Sequence, residues 1–113
     1  MKKKTVISIA QDFSKTPAGR FQKDGRYSGE NFRKQKLEPL FNENGFDGVE
    51  IDLTGLEGVG SSFWEEAFAG FMREHSEKKQ EIFDKITFIC KDDASLEPLI
   101  HSYMQEELNR KDE

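Results

Sequence analysis

Hydrophobic and polar positions predict the order strand, loop, helix, strand, helix, strand, helix along the chain. Thr5-Val6-Ile7-Ser8-Ile9-Ala10 is short and β-branched and predicts a strand. Gln11 to Arg26 shows no helical period, and Pro17, Gly19 and Gly25 mark turns within it. Long loops of this kind often carry function. A helix is predicted from Ser28 as N-cap, with Tyr27 and Phe32 placed as a hydrophobic staple. Its apolar stripe continues through Leu37, Leu40 and Phe41. Pro39 should kink or restart it, and Asn44-Gly45 should close it. From Gly48 to Leu53 the pattern alternates: Val49, Ile51 and Leu53 share one face, Glu50 and Asp52 the other.

A glycine-studded turn, Thr54 to Gly60, then delivers Ser61-Ser62 to a second helix. Phe63, Ala67, Phe71 and Trp64, Phe68, Met72 form adjacent rows at i, i+4, a wide apolar face. Ser62 and Glu65 have capping-box spacing. A charged stretch, Glu74 to Glu81, leads to a third strand over Ile86 to Cys90. The last helix starts near Ser95, with Leu96, Leu99, Ile100, Tyr103, Met104 and Leu108 on one stripe. Strands alternating with helices predict a single α/β domain over residues 1–113, fraying at 1–4 and 110–113.

Composition alters this picture little. The 113 residues are 35% apolar and 35% charged, with a mean hydropathy of -0.79. Ten Phe, two Tyr and one Trp supply enough ring area for a core and argue against disorder. No apolar run reaches the ~20 residues of a membrane span. Met1-Lys2-Lys3-Lys4 leads into a strand rather than a signal-peptide core, so a cytoplasmic protein is expected. A single cysteine, Cys90, allows no internal disulfide and no cysteine-only metal site.

Charge is unevenly spread. Residues 1–40 hold ten Lys+Arg against four Asp+Glu, a balance of +6; residues 41–113 hold seven against eighteen, a balance of -11. A basic half could face an anionic partner. The pI of 5.1 speaks against nucleic acid.

The chemistry concentrates at the serine turn. Ile51-Asp52-Leu53-Thr54-Gly55 brings the chain out of a strand, and Gly58-Val59-Gly60-Ser61-Ser62-Phe63 brings it into a helix. Free backbone N–H groups and the helix dipole favour an anion there, whether a bound phosphate or a phosphoserine. A turn shaped by glycines with one serine as cap accounts for the same residues. The turn lacks the Gly-Lys-Ser/Thr of a P-loop and the Gly-x-Ser-x-Gly of a nucleophile elbow.

Gly19-Arg20 with Ser28-Gly29-Glu30 is the second region, where Arg20, Lys23 and Arg26 stand near a predicted helix start and could hold an anion. If the sheet sets this loop beside Gly58–Ser62, Arg20 and two helix ends would form one pocket for a phosphate-containing ligand. Asp52 is expected to hydrogen-bond the glycine turn. His75 and His101 have no neighbour at metal spacing, and Cys90 reads as a small buried hydrophobe. Glu65 and Glu66 are adjacent and should face differently on their helix. No catalytic constellation, cofactor or metal site is expected, and an enzyme is not.

Asp52-Leu53-Thr54-Gly55, the short turn, Ser61-Ser62 and the amphipathic helix resemble the signature of STAS domains, the fold of bacterial anti-sigma factor antagonists. From Val6 to Ile89 the chain is more closely similar to a small STAS-like family of unknown function. That likeness rests on Gly19-Arg20, Tyr27-Ser28-Gly29-Glu30-x-Phe32-Arg33, Ile51-Asp52-Leu53, Gly60-Ser61-Ser62-Phe63 and Glu66-Ala67-Phe68. The resemblance implies a STAS-like α/β sandwich, a mixed sheet of about four strands covered by about three helices.

For function it implies a non-enzymatic regulatory module. In antagonist domains a serine at this helix start is phosphorylated by a serine kinase that is also the anti-sigma factor, which breaks the complex. The matching position is Ser62, with Ser61 beside it. The implied partner is a histidine-kinase-like ATPase, contacted through the serine turn and by Phe63 and Trp64 where exposed. The chain departs from the antagonist pattern at Gly60, usually an aspartate, and at Phe63, usually a glycine.

Overall fold

The structure, a computed structural model, describes residues 5–43 and 45–110. Of the ends expected to fray, 1–4 and 110–113, all but Arg110 lie outside them, as does Asn44 of the expected helix stop. Three parallel strands form the main sheet: β1 (Val6–Ser8), β4 (Val49–Asp52) and β5 (Ile86–Ile89), with β4 in the centre. Register explains which side is buried. Ile7, Ile51 and Phe88 are paired neighbours on the inner face, whereas Val6, Glu50 and Thr87 form the outer row. The inner row is buried; Val6 and Thr87 are exposed. The alternation read from the sequence around Ile51 is therefore the alternation of the sheet.

Four helices among the described residues contribute to the core that the inner face joins. We label α1 the helical stretch 29–40, which passes from an α turn (Gly29–Phe32) through a π turn (Arg33–Leu37) to a 3-10 turn (Glu38–Leu40). Ser28 caps it as expected, its hydroxyl accepting from the Asn31 amide at 3.2 Å. Pro39 sits where its missing N–H is tolerated, and the helix tightens there rather than running on. Helix α2, residues 61–74, also contains a π turn, Glu65–Ala69. Helices α3 (Lys79–Lys85) and α4 (Leu96–Asn109) are the other two.

Several expectations are corrected. The described strands give a parallel three-stranded sheet plus a separate antiparallel pair, β2 (Phe41–Asn42) with β3 (Gly45–Phe46), in place of one mixed sheet of about four. Gly45 thus opens the second strand of a hairpin instead of closing a helix. Gly45, at φ 113, takes a conformation that L side chains rarely adopt. The charged stretch before β5 is partly helical: Glu81 of α3 accepts the Phe46 amide at 2.9 Å, and Lys85 donates to the Phe46 carbonyl at 3.0 Å, so α3 clamps the hairpin. Strand β1 is shorter than expected, because Ile9–Asp12 turns into a single helical turn capped by Ser8.

The core is aromatic. Phe32, Phe46, Phe63, Trp64, Phe68 and Phe71 are buried, joined by the aliphatics of the sheet. Phe13 lies between Tyr27 and Phe32, with ring centroids 5.4 and 5.3 Å away, so the expected Tyr27–Phe32 staple is bridged by a third ring.

Candidate functional site

Loop 53–60 leaves the carboxyl end of β4, where open parallel sheets place their sites, and it is pinned on three sides. Asp52 accepts the Thr54 amide at 2.9 Å, the contact to the turn expected of it. Asp92 accepts the Gly55 amide at 2.9 Å, and the Lys91 amide reaches the Thr54 hydroxyl at 3.1 Å. The Glu57 amide donates to the Lys15 carbonyl at 3.0 Å. Gly55 and Gly58, at φ 89 and 60, make the bends. Beyond these anchors the chain passes Gly60 and enters α2.

Gly60, not Ser62, is the N-cap, and no side chain caps the helix. The expected capping box of Ser62 and Glu65 is thus absent; the carboxylate of Glu65 is engaged with arginines instead. Ser61 and Ser62 stand exposed in the first turn, and neither hydroxyl takes a hydrogen bond among the described residues. The two residues after them are different. Phe63 and Trp64 are fully buried, which corrects their expected role as contact surface. The Trp64 indole N–H is buried without an acceptor among the described residues. That costs about 1–3 kcal/mol, less than burying both rings gains.

The second expected region is close by but closed. Gly29 packs on the start of α2 so tightly that a Cβ there would lie 2.7 Å from the Phe63 carbonyl oxygen. The amides of Gly29 and Glu30, free in an isolated helix, donate to the carbonyls of Gly19 and Arg20 at 3.0 and 2.9 Å. Ser28 is buried and occupied as a cap. Arg20 pairs with Glu65, and Glu30 accepts the Gln22 amide at 2.9 Å while pairing with Lys34. The residues expected to line an anion pocket do meet, but their donors serve one another. Gly58 is exposed and holds only the bend.

Adjacent to this contact lies an ionic network that the sequence reading missed. Arg33 donates from Nε to Glu66 at 2.9 Å, and both side chains are almost completely buried. Arg73 reaches Glu65 at 3.0 Å and Glu107 of α4 at 2.6 Å; Lys79 Nζ lies 2.9 Å from Glu107 as an ion pair. Glu65 and Glu66 were expected to diverge, yet both lie within ion-pair distance of Arg20 and Arg73. The π turn widens the helix at this point and brings residues eight apart toward one face. Gly70 leaves room for the Glu66 carboxylate, since a Cβ there would sit 2.8 Å from its Oε2. A glycine inside an apolar helical pattern was the available signal.

Burial pushes the Glu65 carboxyl up, but hydrogen bonds from Arg73 and Arg20 outweigh it and hold the group below its ordinary 4.5. The folded value is thus below the unfolded one. The contribution of Glu65 to stability is complete above pH 4.5 and is lost as pH falls through the folded value. Urea midpoints at about pH 6 and about pH 3.5 should differ less for Glu65→Gln than for the parent chain. Equal differences would exclude this role.

His75 ends α2 rather than meeting a metal. Its Nε2 pairs with Glu38, and its ring stacks on Phe41 with centroids 4.3 Å apart. His101 is exposed beside Phe83. No metal-binding cluster of His, Cys, Asp and Glu occurs among the described residues. Cys90 is half-buried, and its thiol donates to Asp92 at 3.3 Å; burial raises its pKa. No helix among the described residues is long and apolar enough to cross a membrane.

Fold and turn together define a small α/β domain that presents an uncapped serine pair at the carboxyl end of a parallel sheet. Residues 28–95 match the family described as a STAS-like domain of unknown function, and the chain belongs to that family. The match begins at the Ser28 cap and spans the serine turn, whereas Gly19-Arg20 lies before it. No match was found among curated proteins or among solved structures.

Proposed function

We propose that this chain is a non-enzymatic regulatory module that binds a protein partner through the serine turn and is switched by phosphorylation of Ser62. One observation carries the reading. Ser61 and Ser62 stand exposed and unpartnered on the first turn of a helix whose cap is Gly60. A hydroxyl that caps its own helix is already committed; these two are not. A phosphate there meets free N–H groups and the positive end of the helix dipole, so the modified state is tolerated. On a docked surface the same dianion repels acidic groups and resists desolvation, which releases the partner.

The partner proposed is an ATPase of the histidine-kinase-like type, acting as the kinase. Phe63 and Trp64 hold the turn in place from below. A Ser62→Asp chain should fail to co-purify with that ATPase, and Ser62→Ala should bind as the parent does. Equal binding by both variants would end the switch. The competing reading, a sensor of phosphate-containing ligands built on Arg20 and two helix starts, is disfavoured. Arg20 is paired, and one of the two helix starts is filled by backbone carbonyls.

A further inference from the structure

We propose that the loop of residues 18–27 is a docking platform for an acidic, partly apolar segment of a partner protein. The loop is held as a closed unit. The Ala18 amide donates to the Tyr27 carbonyl at 3.1 Å, joining its ends. Asp24 accepts the amides of Phe21 and Arg20 at 2.9 and 3.2 Å, and the Gln22 amide is taken by Glu30. Carbonyls of Gly19 and Arg20 sit on the start of α1, and the Asn31 side chain donates to the Arg26 carbonyl at 2.9 Å. A segment fixed at so many points loses little freedom on binding.

What this rigid unit displays is unlike the rest of the surface. Among the thirteen aromatic side chains of the chain (ten Phe, two Tyr and one Trp), only Phe21 and Tyr27 are exposed, each at 42%. Exposed rings on a fixed scaffold are typical of binding hot spots. Lys23 and Arg26 stand beside them, and neither forms an ion pair among the described residues. The Arg26 guanidinium lies over the Tyr27 ring, 5.7 Å from its centroid. The loop's one acid, Asp24, spends its carboxylate on the loop's own amides. Lys23 and Arg26 outnumber the loop's one carboxylate, Asp24, which attracts Lys23, and two cations next to two exposed rings fit a segment that alternates acidic and apolar residues.

Charge also selects the class of partner. A short acidic segment stays within about 10 Å, the screening length at moderate salt. A long polyanion would run on over a chain whose residues 41–113 carry a balance of -11. The surface rests on the partner-binding reading above but not on the serine switch. It adjoins the serine turn, because Tyr27 leads directly to the Gly29 contact with Phe63.

The test is a titration of the isotope-labelled full chain, followed by amide chemical shifts. The probe is a short synthetic peptide of alternating Glu and Leu; the same peptide with Lys for Glu and a thymidine oligonucleotide are the comparisons. Shifts should cluster at residues 18–27 with the Glu-Leu peptide and weaken as salt is raised. Affinity should fall about tenfold or more in Phe21→Ser/Tyr27→Ser and in Lys23→Glu/Arg26→Glu. No shifts at 18–27, equal shifts with the Lys peptide, or tighter binding of the oligonucleotide there would overturn the proposal. A Ser62→Asp chain that keeps the peptide shifts supports the platform even where the switch itself has failed.

Discussion

Glu107→Ala is expected to lower the unfolding free energy by about 3–5 kcal/mol, followed in urea by the fluorescence of Trp64. Glu107 is 1% exposed, and its two oxygens face Arg73 and Lys79, with Lys79 itself buried. Removing the carboxylate takes the 2.9 Å partner from a buried ammonium and the 2.6 Å partner from the Arg73 guanidinium. That is the costly way to break an ion pair, since the desolvation penalty stays and the attraction goes. The exposed Arg110 at 3.5 Å adds little, because solvent screens it. A domain of this size has about 5–15 kcal/mol in all, so the variant should be marginal. Adding Lys79→Met should recover part of the loss. A loss under about 1 kcal/mol would place the network among screened surface pairs.

Phe68→Ala should cost a similar amount, about 3–5 kcal/mol. Phe68 is fully buried where the layers meet: its ring centroid lies 5.8 Å from Phe32 of α1, 6.2 Å from Trp64 and 5.3 Å from Phe88 of β5. Deleting it removes the ring that α1, the start of α2 and the sheet all touch. Rigid aromatic neighbours cannot collapse into the gap, so the cavity remains. Phe68→Leu, which keeps most of the volume, should lose clearly less, and urea midpoints of the two variants check the ordering. Equal midpoints would mean that the site repacks around either side chain.

The aromatic helix face was legible because Phe63, Trp64, Ala67, Phe68, Phe71 and Met72 repeat at a helical period and have nowhere else to go. The three strands of the main sheet were legible as short runs rich in β-branched residues, while their parallel order was not. The hairpin was not: β2 and β3 are two residues each, too short for alternation to register. Helix α3 was masked by its charges, since Lys79 and Glu81 read as solvent-exposed until Glu107 and Phe46 appear opposite them. At the site, the sequence located Ser61 and Ser62 and left Phe63 and Trp64 two roles, the helix's apolar rows or, where exposed, a contact surface; their burial decides for the first. The ion pairs joining α2 to Arg20, Arg33 and Glu107 span 33 to 45 residues. No local pattern encodes a partner so far along the chain.

Phosphorylation of the exposed Ser62 is the central proposal, and the mass of the intact chain after incubation with the proposed ATPase partner and ATP tests it most directly. The account predicts a gain of one phosphate in the parent chain and in Ser61→Ala, and none in Ser62→Ala. An unchanged parent mass in a complex that demonstrably forms, or a phosphate retained in Ser62→Ala, would contradict it.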